Sequence, residues 1–259
     1  MSTLINVVLI IRSLWAGFAR SLSTVFELPF GGIDRTGMNR RLYTWADSLL
    51  KMADLQVNIE GEENLDIQPG GRYVVMCNHA SYYDIPISMS VFKERGCIRM
   101  IAKKELFDIP VWGLAMSHAE FVFIDRKDRH QAIKDIERAK SLMETGVMFW
   151  IAPEGTRTPD GTLGTFKTGG VKLAMDMDAS IIPIGIEGAF DVLPKDSFTI
   201  NRHRQVTVRI GKPINTQGLA KGKRKELTAQ LREEIRELAK LPDDSKPEPL
   251  PSVEQTTDA

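Results

Sequence analysis

Short apolar runs alternate with helix-periodic stretches through the middle of this 259-residue chain, and that alternation constrains the fold more than any other feature. Strand-like runs stand at 56–59, 73–77, 98–102, 121–124, 147–152, 181–186 and 206–210. Helix-like stretches include 85–92, 111–116, 131–144, 169–177 and 225–240. Strands buried on both faces read as nearly continuous apolar runs, and their alternation with helices predicts an α/β fold. The expected architecture is a mixed, largely parallel central sheet flanked by helices. Ligands of such sheets gather beyond the carboxyl ends of the strands. The residues that follow each run are therefore the ones to inspect.

The run 73–77 leads into Asn78-His79, and Asp84 follows His79 by five residues, where a helix should begin. Five is the wrong spacing for one helix face, where neighbours are three or four apart. With His79 in the turn and Asp84 in the first helical turn, the carboxylate can fold back onto the imidazole. It would fix the tautomer and stabilise the imidazolium, leaving the second ring nitrogen to take a proton. The pair reads as a general base. It also has a plain structural reading, because Asp84-Ile85-Pro86 suits a helix N-cap with proline in the first turn. Cys77, two residues earlier, shares a face with His79 only if the strand continues through the histidine.

Two more runs end in charge. Residues 121–124 run into Asp125-Arg126, and 147–152 into Pro153-Glu154-Gly155-Thr156-Arg157. Lys103 and Lys104 follow the run 98–102. If these strands are parallel, the groups converge on one mouth. Guanidinium groups make paired, planar contacts with phosphate oxygens. Two of them beside a base suggest a substrate whose phosphate lies near the reacting group, although each alone reads more readily as a surface residue.

The 34 basic and 34 acidic residues balance, so no global field points to nucleic acid. The two cysteines, Cys77 and Cys97, have neither metal-ligand nor disulfide spacing, and they fit a reducing compartment. No metal-ligand cluster, phosphate-binding glycine loop or nucleophile elbow is present. Residues 1–32 are mostly apolar but interrupted by Arg12, Arg20 and Glu27, with Asn6, Ser13 and Thr24 on the same side of a helical wheel. This predicts an amphipathic, membrane-associating helical segment lying in the headgroup region, or a helical pair dipping into one leaflet. Residues 33–241 form the expected catalytic domain. The stretch 242–259, rich in Pro, Ser, Asp, Glu and Thr, is expected to be a disordered tail.

Taken in order, the blocks Asn78-His79 with Asp84, Phe123-Ile124-Asp125-Arg126, Pro153-Glu154-Gly155-Thr156-Arg157 and Ile181-Ile182-Pro183-Ile184 resemble the glycerolipid acyltransferase family. The resemblance covers roughly residues 55–188. It includes Phe166, Lys167 and Gly169 after the third block, and the stretch from Ala102 to Leu106 with Pro110 and Gly113. Two positions depart from the family pattern. Glu120 stands where glycine is common, and Ala152 replaces a frequent phenylalanine.

The resemblance implies transfer of a fatty acyl group to a glycerolipid hydroxyl, 1-acylglycerol-3-phosphate leading as acceptor, with acyl-CoA or acyl-carrier protein as donor and no cofactor or metal. His79 and Asp84 would be catalytic. Arg126, Glu154, Gly155, Thr156 and Arg157 would bind the glycerol-phosphate acceptor, Lys104 would add charge, and Ile182 and Pro183 would shape the site or the donor path. Other lysophospholipids, glycerol-3-phosphate or a lyso-aminolipid would suit the same motifs. The dyad could instead activate water, making a hydrolase, and the arginines without the base would make a lipid-phosphate binding module. Membrane lipids are the expected partners, nucleic acid is not, and the expected location is the cytoplasmic face of a membrane.

Overall fold

The structure, a computed structural model, describes residues 3–125 and 128–242. Each strand-like run forms a strand of one seven-stranded sheet: β1 (Gln56–Glu60), β2 (Tyr73–Cys77), β3 (Cys97–Lys103), β4 (Val122–Ile124), β5 (Val147–Ile151), β6 (Ser180–Glu187) and β7 (Gln205–Ile210). The spatial order is β1-β7-β6-β2-β5-β3-β4. All neighbours pair in parallel except β6 and β7. The carboxyl ends of β6, β2, β5, β3 and β4 consequently share one edge, which is the convergence the strand endings require. The central β2 and β5 are buried at every position, whereas the outer β1 alternates between exposed and half-buried residues.

The helices are α1 (Thr3–Glu27), α2 (Arg35–Met52), α3 (Asp84–Phe92), α4 (Trp112–His118), α5 (Arg129–Glu144), α6 (Thr168–Asp176), α7 (Ala189–Val192) and α8 (Arg224–Leu238). Successive strand residues point to opposite faces, so Val75 packs with Tyr43, Leu50 and Ile87 of α2 and α3, while Val74 packs with Met143, Val171 and Leu231 of α5, α6 and α8. Pro183 tolerates its place inside β6 because it stands between the Ile181–Ile214 bridge and the β6–β7 ladder, which begins at Ile184. Helix α2 has no counterpart among the sequence-based helices. Its start signal is nonetheless present: Asp34 caps it, accepting from Gly37 N at 2.9 Å.

Helix α1 is turned inside out relative to a soluble helix. Leu4, Val7, Val8, Ile11, Leu14, Trp15, Phe18, Leu22 and Phe26 are exposed, while Asn6 and Thr24 are buried. Arg41 of α2 donates to Thr24 Oγ1 at 2.7 Å and pairs with Glu27 at 2.8 Å. The stretch Leu4–Phe30 is long and apolar enough to cross a bilayer by length and composition. An exposed apolar helix of this kind is suited to membrane association.

Glu120, the departure from glycine, has a positive φ of 66°, the conformation glycine adopts most cheaply. Its carboxylate offsets that strain by binding Arg35 Nε at 2.9 and 3.0 Å and standing 3.6 Å from the fully buried Arg99. Arg99 also donates to Asn39 Oδ1 at 2.6 Å, so α2, β3 and the turn before β4 are clasped together.

Candidate active site

The turn after β2 is held from every side. Asn78 is buried and exchanges two hydrogen bonds with Ile186 of β6, at 2.8 and 2.9 Å. The His79 amide donates to Glu154 Oε1 at 2.6 Å, and the His79 carbonyl accepts from Thr158 N at 2.9 Å. Ser81 Oγ donates to Leu193 O at 2.9 Å, just past α7. His79 therefore inherits its position from β6, from the loop after β5 and from the end of α7.

Asp84 is completely buried, and its Oδ2 accepts three hydrogen bonds. Two come from the amides of Ala80 and Ser81, each at 2.8 Å, and the third is the 2.8 Å contact with His79 Nδ1. Three donors converging on one oxygen fix the orientation of the carboxyl group. A carboxylate facing Nδ1 places the imidazole proton there and leaves the Nε2 lone pair available. Nε2 has no hydrogen bond among the described residues. Asp84 is the first residue of α3 and not its cap, since Tyr83 occupies that position without a side-chain bond. The indole of Trp150 meets the imidazole edge-on, centroids 5.6 Å apart, and is fixed by donating to Ser88 Oγ at 3.0 Å.

His79 lines a cavity of about 780 Å³ between the sheet edge, α3, α4 and the N-terminal helices. Its walls are largely apolar, including Met89, Met100, Trp112, Met116 and Phe121, while Lys103, Arg157, Lys167 and Lys172 supply positive charge. The Arg157 guanidinium lies 3.6 Å from the centre of the Tyr82 ring, a stacking that orients the group without consuming its donors. Gly155 has a φ of 74°, and a Cβ there would stand 3.0 Å from Lys167 Nζ. Glycine thus lets the turn form and lets the ammonium approach.

The expected site residues separate into groups. His79, Gly155, Thr156 and Arg157 line the cavity, with Asp84 directly behind the imidazole. Glu154 is buried and spends its oxygens on backbone, accepting from His79 N and from Gly164 N at 2.9 Å; burial pushes its pKa up against those two donors. Lys104 is outside the lining, its Nζ 2.8 Å from Asp125 Oδ2, and the neighbouring Lys103 faces the cavity instead. Ile182 and Pro183 sit within β6, opposite Val75 and Met76 and away from the lining. Arg126 lies outside the described residues; β4, which it follows, is separated from β5 by β3, two strand spacings or roughly 10 Å. The Cys77 thiol is buried within the sheet, and desolvation pushes its pKa well above the ordinary thiol value, so it is no nucleophile here. Sequence reasoning did not assign Lys167, Lys172 or Trp150 to the site. Lys167 had the best available signal, standing just ahead of α6.

Residues 56–187, from the start of β1 to the end of β6, match the acyltransferase family. This chain belongs to that family. Among curated acyltransferases it is 32% identical over 187 residues to 1-acyl-sn-glycerol-3-phosphate acyltransferase of Saccharomyces cerevisiae, a match covering 71% of this chain and 60% of the relative. It is 35% identical over 160 residues to a chloroplastic enzyme of that name from Arabidopsis thaliana (62% of this chain, 44% of the relative). The human alpha enzyme is 36% identical over 168 residues, 64% and 57% of the two chains. The chain thus spans about half the length of these relatives. Its fold is similar to the crystal structure of the 1-acyl-sn-glycerophosphate acyltransferase from Thermotoga maritima, with a TM-score of 0.69 at 24% identity, covering 91% of this chain and 95% of that one. The acyltransferase match contains β2 and β5, the strands that lead into His79, Asp84 and the loop from Pro153 to Arg157.

Proposed function

We propose that this acyltransferase moves a fatty acyl group from acyl-CoA or acyl-carrier protein to the free sn-2 hydroxyl of 1-acylglycerol-3-phosphate, giving phosphatidic acid. One observation carries the reading: a carboxylate-braced imidazole stands at the wall of an apolar cavity whose polar part is cationic. The names of the relatives support the same acceptor.

His79 Nε2 takes the hydroxyl proton as the oxygen attacks the thioester carbonyl carbon. The tetrahedral intermediate collapses with breakage of the C–S bond, and the imidazolium returns the proton to the leaving thiolate. Asp84 stabilises the imidazolium between these two transfers. No acyl-enzyme is required, since a thiolate is already a good leaving group. Arg157, with Lys167 and Lys103 nearby, binds the acceptor phosphate, and the apolar walls take up an acyl chain. Arg126 joins this set by family resemblance alone, and Thr156 and Gly155 shape the approach. Glu154 serves by holding the His79 amide in place.

Helix α1 rests on the surface of one leaflet with its apolar face inward. Its polar side is already committed to the protein, through Gly17 against Trp112 and through Thr24 and Glu27 with Arg41, so spanning the bilayer would cost those contacts. Residues 1–32 are the membrane segment and 33–241 the catalytic domain, facing the cytoplasm.

The test is His79→Ala with radiolabelled acyl-CoA and 1-acylglycerol-3-phosphate. Turnover should fall at least about 10²-fold while the circular dichroism spectrum and vesicle binding are retained. Near-normal transfer by the folded variant removes the base assignment. Release of free fatty acid by the unaltered protein, at a rate indifferent to acceptor, would make it a hydrolase instead.

A further inference from the structure

A second apolar surface adjoins α1. Residues 103–110 are exposed without a break, and Leu106, Phe107, Ile109 and Leu114 each keep 39–46% of their surface accessible. Single exposed apolar residues are ordinary, but a contiguous group marks a contact surface. Part of the backbone beneath them is bonded within the segment. Phe107 N donates to Lys104 O at 2.8 Å, Gly113 N to Ile109 O at 2.9 Å and Trp112 N to Pro110 O at 2.7 Å, while Pro110 has no N–H to satisfy. Each internal bond of this kind lowers the cost of bringing backbone up to hydrocarbon. Gly113 permits the fold, because a Cβ there would stand 1.9 Å from Phe107 O.

The segment adjoins α1 through α4. The Trp112 ring lies against Gly17, where an added Cβ would be 3.0 Å from the indole, and α4 packs along α1. Leu106 and Trp112 also line the cavity that holds His79. Lys103 and Lys104 are matched by Glu105 and Asp108, so attraction to lipid there is apolar and not electrostatic.

We propose that residues 106–114 form a second bilayer-contacting edge, continuous with α1, and that acyl chains enter the cavity sideways from the membrane past Leu106 and Trp112. The identity of the entering lipid rests on the function proposed above, but contact with the bilayer does not. Single cysteines at Ile109, Leu114, Phe18 and, as a control on the other side of the sheet, Gln230 would carry an environment-sensitive fluorophore; Cys77 and Cys97 are buried. On phosphatidylcholine vesicles containing spin-labelled lipid, probes at 109, 114 and 18 should shift to the blue and be quenched, and the probe at 230 should do neither. Lipid-like signals at 18 with water-like signals at 109 and 114 would overturn the proposal.

The double variant Ile109→Gln/Leu114→Gln alters side chains outside the cavity lining. It should need about tenfold more vesicle lipid for half-maximal binding. It should lose turnover on vesicle-embedded acceptor but keep the native rate on a short-chain, water-soluble acceptor. Equal loss on both acceptors would overturn the lateral entry. A native protein that acylates neither acceptor would instead sink the transferase reading, while the fluorescence result would still decide the membrane edge.

Discussion

The turn after β2 and helix α1 follow opposite rules for polar and apolar side chains. At the turn, the polar groups of Asn78, His79, Ser81 and Asp84 are bonded to one another and to three separate parts of the chain. In α1, Asn6 and Thr24 are inward, but Leu4, Ile11, Leu14, Trp15, Phe18 and Phe26 are left exposed. The first arrangement makes a rigid site; the second makes a surface that is stable only against a partner as apolar as itself. The difference bears on where the cavity sits. The cavity lies between the two, walled by His79 on one side and by Gly17, Ser21 and Thr24 on the other. Met89, Met100, Trp112, Met116 and Phe121 make the remaining lining apolar, which fits the lipid acceptor proposed above.

The sharpest way to break this comparison is Asp84→Asn. Its amide oxygen can replace Oδ2 and keep all three donors, and its NH2 would occupy the place of Oδ1, which has no partner. Geometry is kept and the charge is lost, so kcat should fall at least about 10²-fold. A folded variant with native kcat would reduce Asp84 to a structural brace.

The complementary variant, Leu14→Ser/Trp15→Ser/Phe18→Ser, removes exposed apolar surface and no cavity wall. Sedimentation with phosphatidylcholine vesicles should show binding weakened by about 100-fold, with thermal stability retained. A drop in melting temperature without a change in binding would mean that α1 packs on protein and not on lipid.

Glu120→Gly probes the clasp joining the two regions. It relieves the positive φ but leaves Arg35 and Arg99 without their carboxylate. Losing one partner of a half-buried charged cluster outweighs the relief, giving a net loss of about 2 kcal/mol in denaturant titration. A variant as stable as the native chain would show that the strain and the pairing cancel.

The smallest effect concerns the loop over the catalytic turn. Hydrogen bonds from Thr162 and Thr158 hold the exposed Asp160 carboxyl at about 2, below its ordinary 3.8. A depressed folded-state pKa adds stability above the unfolded value that disappears as pH falls through the folded one. The native loop should therefore keep its amide-exchange protection down to about pH 3, and the Asp160→Ala loop should be less protected at neutral pH, with a protection factor that does not change between about pH 4 and 2. Identical exchange in both would remove Asp160 as a loop anchor.

Much of the fold was legible because it is written locally. All seven strand-like runs are strands, since an apolar run bounded by turn residues has few other uses at that length. The His79–Asp84 pairing was legible for the same reason, spanning only five residues. Helix α2 escaped because its pattern, broken by charged residues, is set by contacts with α1 and α3, although Asp34 marked its start. Lys103 and Lys104 could not be told apart, because which of two adjacent side chains faces the cavity depends on where β3 ends and twists.

By itself, then, the sequence determined the alternation of elements, the residues at their ends and the acid behind the histidine, all matters of periodicity and short reach. Tertiary structure alone decided that β5 lies beside β2, which brings Glu154 to the amide of a residue 75 positions away and turns a strand-end charge into a backbone brace. It also decided that α1 shows its apolar side outward. Strand order and helix docking are settled by summed burial across the whole sheet, and no local stretch of residues contains that sum.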